Sequence, residues 1–212
     1  MFGWTSEPHG GQKEQTQATP GLLSAVDVLL LWRFSRRSNP GADDETMNEH
    51  DPYLIRPATL KDAEHIFNLI RNHKDDLISR PMGDIVQNID RFVICEFGGR
   101  IIGCAAWQIL PEIGEPEHAS VEIQSVAVHQ DHRRHHIGTR IVSCILDAIR
   151  RFQPAQAIVL TFAPGFFGSL GFREIPKTQV MHKLYMGCIN CTKHANPFTC
   201  PEIAMALDLR GS

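Results

Sequence analysis

Two periods of hydrophobic spacing run through residues 53–186, and the changes from one to the other mark the elements. Val121, Ile123, Val126 and Val128 form a β-branched run that reads as a buried strand. The eight residues from His129 to His136 are polar and cationic. Ile137, Ile141, Val142, Ile145, Leu146 and Ile149 then recur at helical spacing, which predicts a helix reaching about Arg151. Upstream, Tyr53–Pro57 predicts a short strand, and Thr59 is placed to cap a helix with Asp62 and Glu64 in its first turn and Ile66, Phe67, Leu69 and Ile70 as its stripe. Ile85, Val86 and Ile89 predict a second helix. Phe92–Phe97 and Ile101–Leu110 predict a hairpin closed by Gly98-Gly99, and an acidic loop, 112–117, follows. Downstream, Ala155–Ala163 reads as another buried strand, Pro164–Ser169 as a short helix ended by Gly171, and Val180–Met186 as a last strand or extended arm. No internal repeat is present. Mixed strands with helices on each side predict an α/β sandwich.

Composition adds limits. The chain has 212 residues, 42% hydrophobic and 21% charged, as expected of one soluble core-bearing domain with extensions. A net charge of −3 argues against a general nucleic-acid binder. The longest apolar patch, residues 21–34, is interrupted by Asp27 and is shorter than the ~18–20 residues of a membrane span. Glu7 and Glu14 precede it and Arg33, Arg36 and Arg37 follow it, which is not the layout of a signal peptide. A cytoplasmic location is the expectation. Residues 1–50 are expected to be a disordered extension, 51–186 a folded domain and 187–212 a cysteine-containing tail packed on it. An over-long start and a membrane-surface helix at 22–34 are the alternatives for the extension.

A strand entering a helix through a basic turn gathers unpaired backbone N–H groups at one spot. The helix dipole and the charges of Arg133 and Arg134 add to them, making a site for phosphate or pyrophosphate. Most strand–turn–helix units bind nothing, and a basic turn is usually a solvated one. The whole order from Glu122 to Arg140 closely resembles the acetyl-CoA signature of the Gcn5-related N-acetyltransferase (GNAT) superfamily, with Arg133, Arg134, His135, His136, Ile137 and Gly138 at the signature positions and His136 in place of the first glycine. The opening Ile55-Arg56-x-Ala58-Thr59 and the Phe166–Phe172 segment resemble the same family, so the resemblance covers about residues 53–186. It implies a mixed, mostly antiparallel central sheet with helices on both faces. It also implies acetyl-CoA as cosubstrate, held by Val126, Ala127 and Val128 along the strand and by Arg133, Arg134, His135, His136, Ile137, Gly138 and Thr139 at the turn.

Acetyl transfer to an amine needs a held donor, a deprotonated amine and a stabilised oxyanion. Glu122 resembles the glutamate that several superfamily members use as general base, and burial among valines and isoleucine would raise its pKa; the bland alternative is an outward or arginine-paired carboxylate. Phe167 stands where the family's general-acid tyrosine is usual, so either water protonates the thiolate or no acid is needed. The flanks look like the acetyltransferase domain of the N-acetylglutamate synthase family, especially its short forms: Leu77-Ile78-Ser79-Arg80, Ile101–Ala106, Leu170-Gly171-Phe172-Arg173-Glu174 and His182-Lys183-Leu184-Tyr185. That resemblance implies L-glutamate as acceptor, with Arg80 and Lys183 as cations for its carboxylates. Without it both would read as solvated surface residues.

Of six cysteines, Cys95, Cys104 and Cys144 fall on apolar elements and read as buried thiols. Cys188-x-x-Cys191 with Cys200 fits a zinc knuckle completed by His194 or His182; a redox-active pair and three idle thiols stay open. His129, His132, His135 and His136 read as polar turn residues. The expected partners are acetyl-CoA and L-glutamate, without nucleic acid or membrane, and a homodimer as assembly. Two rivals remain: transfer to another small amine or a protein N-terminus, and a non-catalytic coenzyme A-binding or zinc-stabilised module.

Overall fold

The structure, a computed structural model, describes residues 51–74, 76–110, 118–191, 193–194 and 196–210. The expected N-terminal extension and the acidic loop at 112–117 lie outside the described residues. Within them, seven strands form one sheet in the order β1-β2-β3-β4-β5-β7-β6. The strands are β1 Tyr53–Pro57, β2 Phe92–Phe97, β3 Arg100–Leu110, β4 Ser120–Val128, β5 Gln156–Thr161, β6 Arg173–Glu174 and β7 Ile203–Asp208. β4 and β5 pair in parallel, and the other neighbours are antiparallel. This is the mixed, mostly antiparallel sheet that the resemblance implied.

Strand alternation separates two cores. On β2, Val93 and Cys95 face the core under helix α3 (Ile137–Ile149), whereas Phe92 and Ile94 face α1 (Ala63–Arg71) and α2 (Met82–Gln87). The stripe of α3 is buried as its spacing predicts, with Ile137, Ile141, Val142, Ile145 and Ile149 all in the core. Burying one such side chain is worth about 1.5–3 kcal/mol, so packing of this face holds α3 more than propensity does. Gly103 on β3 lets α3 approach: a Cβ there would lie 2.9 Å from Ile141 Cδ1 and 3.0 Å from Ile137 Cγ2.

Thr59 caps as expected, but what it caps is a 3₁₀ turn, Leu60–Asp62, with a reciprocal capping box. Asp62 also accepts both terminal nitrogens of Arg56, at 2.8 and 2.9 Å, which ties β1 to the start of α1.

Two expectations need correction. Residues 181–186 form a helix, α5 (Met181–Met186), not a strand or arm. Val180 and Leu184 are the buried pair, and their spacing of four is helical. The expected tail also supplies a strand, since β7 lies between β5 and β6. Ala204 joins Leu110, Ile158 and Val180 in a small third core, which is why this end of the chain is drawn into the sheet.

Candidate active site

The β4–β5 ladder ends at Glu122–Ile158. Past that point β4 continues along β3 to Val128–Gly103, while β5 continues along β7 to Thr161–Ile203. The strands part, and a cavity of about 570 Å³ opens between them, a size usual for small-molecule sites. A bulge shapes its wall. Ser125 has φ 56, and the β3–β4 register shifts between Cys104 and Ala106. The shift explains the odd spacing of the β-branched run: Val121 and Ile123 lie in the α3-side core, and Val126 and Val128 still pack against that same core after the phase break. Arg80 Nη1 donates to the Ser125 hydroxyl at 3.3 Å, and the Cys104 thiol donates to the Ser125 carbonyl at 3.7 Å, so the left-handed residue is held from both sides.

The turn after β4 is built as a nest. His129 and Arg133 bracket a 3₁₀ turn, Gln130–His132, and Arg134 (φ 68) and His136 (φ 55) are both left-handed before α3 begins. His136 therefore takes the conformation that a glycine would supply, and the chain keeps its path. The first amides of α3 point out of the helix end, where the dipole is positive. Gly138 fits tightly: a Cβ there would lie 3.2 Å from Phe166 Cζ, on the short helix α4 (Pro164–Ser169). Val126, Ala127, Val128 and Arg133 line the cavity; Arg134, His135 and residues 136–139 stand on the turn beside it. Of the turn histidines, His132 and His135 pack with Tyr53 at ring distances of 5.9 and 5.6 Å, and His132 also packs with Phe97 at 4.9 Å.

The other end of the cavity gathers the charges. Glu122, 4% exposed, lines it and pairs through Oε1 with Lys183 Nζ at 2.8 Å. Its second oxygen, Oε2, is buried without a hydrogen-bond partner. Burial pushes the Glu122 carboxyl above its ordinary pKa, and the Lys183 ammonium pulls it partly back. Lys183 reaches the cavity from helix α5. Arg80 reaches it from the loop before α2, with Nε on Asp84 Oδ2 at 2.6 Å and its guanidinium over the Phe92 ring. Arg80 is thus a braced wall residue, not a free surface cation. Phe167 is buried against Phe166 and Phe172, while Tyr53 and Tyr185 lie away from the cavity lining.

Some lining residues carried no motif. His73 bridges the carbonyls of Leu69 and Val128 at 2.9 and 3.1 Å, tying α1 to the end of β4. Ser125 was announced by the change of phase between Ile123 and Val126. Glu202 comes from the C-terminal end of the chain and had no local signal, whereas Cys188 belonged to the Cys-x-x-Cys pattern and lines this cavity as well.

Cys188, Cys191, His194 and Cys200 line a second, small cavity of about 20 Å³. They do not assemble the expected zinc knuckle: the three cysteines are free thiols, the Cys200 thiol donates to Glu202 at 3.6 Å, and among the described residues no three His, Cys, Asp or Glu side chains form a group that could hold a metal ion. Burial pushes the thiols of Cys95 and Cys104 up to about 11 and about 12, as inert core cysteines require. No helix among the described residues is long and apolar enough to cross a membrane.

A splayed parallel pair, a bulged strand and a cationic nest at a helix start thus meet at one cavity, with one buried carboxylate beside the split. Residues 88–174 match the acetyltransferase (GNAT) domain family. An uncharacterized N-acetyltransferase of Chlorobaculum tepidum is 29% identical over 157 residues, which cover 73% of this chain and 96% of that one. The amino-acid acetyltransferase of Aeromonas salmonicida is 33% identical over 108 residues, covering 50% of this chain and 23% of that one. The chain thus spans about a quarter of the length of the amino-acid acetyltransferases it matches. Among solved structures, Rv2747 from Mycobacterium tuberculosis in complex with CoA superposes with a TM-score of 0.60 at 23% identity, over 74% of this chain and 99% of that one. The N-acetylglutamate synthase of Neisseria gonorrhoeae, complexed with coenzyme A and N-acetyl-glutamate, superposes with a TM-score of 0.61 at 23% identity, over 76% of this chain and 36% of that one. At that identity the likeness establishes the fold.

Proposed function

We propose that this chain transfers the acetyl group of acetyl-CoA to the α-amino group of L-glutamate. The observation that carries the reading is the meeting of one buried carboxylate, Glu122, and two cations, Arg80 and Lys183, beside the unpaired edge of β4 in a single cavity. The relatives named amino-acid acetyltransferase support an amino-acid acceptor.

In this reading the pantetheine arm lies along Val126–Val128, and the pyrophosphate sits on the nest from Arg133 to Thr139. Glu122 takes a proton from the acceptor ammonium, directly or through water. The freed amine attacks the thioester carbonyl carbon, and a C–N bond forms as the carbonyl oxygen gains the charge. Backbone N–H groups of β4 stabilise that oxyanion. Collapse breaks the C–S bond, the nitrogen gives up its surplus proton to water, and the leaving thiolate takes one from water, because Phe167 has none to give. Arg80 and Lys183 hold the acceptor's carboxylates.

The test is a thiol-release assay with L-glutamate, L-glutamine, L-aspartate and a polyamine on wild type and Arg80→Ala. Saturable release selective for glutamate, with Arg80→Ala raising mainly the KM for glutamate, is expected. Equal rates with all four amines reject the acceptor. One observation favours a second reading, an acceptor with a single carboxylate: Asp84 already occupies Arg80 Nε. Glutamine acetylated faster than glutamate selects it.

A further inference from the structure

The Glu122–Lys183 pair poses a problem for the reading above. A general base must bind a proton, yet Glu122 Oε1 is held by an ammonium at 2.8 Å, with side-chain exposures of 5% and 15%. A buried cation in contact lowers a carboxylate's proton affinity, and here it works against the rise that burial imposes. The same lysine is the cation offered to the acceptor's carboxylate, and one ammonium cannot serve two carboxylates equally well at once.

We infer that Lys183 restrains Glu122 until an acceptor carboxylate draws the ammonium away, so that the acceptor's own carboxylate releases the base that deprotonates its amine. This deepens the proposed function and rests on it: Lys183 becomes a specificity-determining residue as well as a clamp. Glu122 Oε2, buried and without a hydrogen-bond partner, is the atom at which the acceptor ammonium is received. Besides Lys183 of α5, the charged and titratable groups that bear on Glu122 are Arg80 from the loop before α2, and Glu202 from the segment before β7. Cys188 lines the same cavity. Arg80 is anchored to Asp84 and Ser125, whereas Lys183 sits on a short six-residue helix whose ammonium is seated by Gly187. A Cβ on Gly187 would lie 2.7 Å from Lys183 Nζ, so any side chain there moves the ammonium without removing its charge. An amine that lacks a carboxylate offers nothing to draw Lys183 off, and its own positive charge must approach the site against that of Lys183. The site therefore selects amino acids through its base as well as through binding.

The experiment compares kcat/KM for L-glutamate and for n-butylamine, with acetyl-CoA saturating, in wild type, Lys183→Met and Gly187→Ala, across pH 5.5–9. A simple clamp predicts that Lys183→Met weakens glutamate and leaves butylamine unchanged. Release of the base predicts that butylamine turnover rises as glutamate turnover falls, so that the preference for glutamate drops at least about tenfold. The acidic limb of the butylamine profile also moves to higher pH, because the cation that lowers the Glu122 pKa is gone. Gly187→Ala keeps the charge and the fold, and it shifts the butylamine rate in the same direction by a smaller factor. Butylamine rates unchanged or lower in both variants, with an unmoved acidic limb, overturn the inference. A wild-type enzyme that prefers butylamine overturns it together with the amino-acid reading. If L-aspartate or L-glutamine is preferred instead, only the glutamate reading falls, and that amino acid replaces glutamate in the comparison.

Discussion

The two walls of the cavity are made in opposite ways. The wall made by the end of β4, its turn and α3 is one continuous stretch, Ser125–Ile149, whose parts hold one another locally. The facing wall is assembled from distant segments: Glu122 where β4 and β5 part, Arg80 before α2, Lys183 on α5, and Cys188 and Glu202 near the end of the chain. The first wall offers backbone and a helix end, which most sequences on this path would provide. The second offers side-chain charge, which single substitutions remove. Damage to the second wall should therefore fall on chemistry, and damage to the first on packing and stability.

The largest effect tests the second wall. Glu122→Gln keeps the shape and removes the base, and kcat for thiol release is expected to fall about 10³-fold with the KM for acetyl-CoA nearly unchanged. A KM change of the same size would mean that the walls are coupled and the contrast is false.

A scaffold residue comes next. Asp62 accepts from Arg56 twice and from the Thr59 amide and hydroxyl, and the Arg56 guanidinium holds its carboxyl far below the usual carboxylate range. Asp62→Ala breaks a largely buried pair and should cost about 3 kcal/mol in urea unfolding at pH 7. The sign of the pH dependence follows from the depressed pKa. Asp62 contributes its stability above the unfolded carboxylate pKa and loses it as pH falls, so wild type and variant should converge below about pH 4. Turnover per folded molecule should stay within about twofold, because Asp62 belongs to neither wall.

How much of each wall the sequence disclosed follows from the same contrast. The strand, turn and α3 were legible because each is a local pattern: the apolar stripe from Ile137 to Ile149 is buried where its period places it. Glu122 was legible by its place on that strand, but its bond to Lys183 was not, since sixty-one residues separate them and no period links them. Residues 180–186 misled because seven residues of mixed apolar character fit a strand as well as a helix. Only the burial of Val180 and Leu184 in the folded chain decides it. Ile203–Asp208 carries an Ile-Ala-Met-Ala-Leu run that a strand needs, yet its place between β5 and β6 depends on a ladder with Gln156–Thr161 that the chain reaches only after folding. The Ser125 bulge was visible as a phase break but not as a cavity, because the departure of β5 from β4 is a property of two strands.

Gly138→Ala tests the first wall by packing. The new methyl would sit 3.2 Å from Phe166 Cζ, so α4 must yield by a few tenths of an ångström. A loss of about 1–2 kcal/mol in stability and a several-fold rise in the acetyl-CoA KM are expected, with kcat preserved. A fall in kcat with unchanged KM would place chemistry on this wall and break the contrast.

The smallest effect is the sharpest test of what the first wall requires. His136 occupies the left-handed region at φ 55, where the helix start needs a residue that can turn the chain, and it lines no part of the cavity. If conformation is the requirement, His136→Gly relieves roughly 1 kcal/mol of backbone strain and loses a similar amount through the freedom glycine gains in the unfolded chain. The two nearly cancel, and both the midpoint of urea unfolding and the acetyl-CoA KM should hardly move. His136→Val asks a β-branched residue to adopt the same φ, which costs more, and it should loosen acetyl-CoA binding while glutamate kinetics at saturating acetyl-CoA persist. A tenfold gain in acetyl-CoA affinity in His136→Gly would show the imidazole itself to be an obstacle on the nest. The first wall would then be set by side chains as much as the second, and the contrast would hold only for the charges around Glu122.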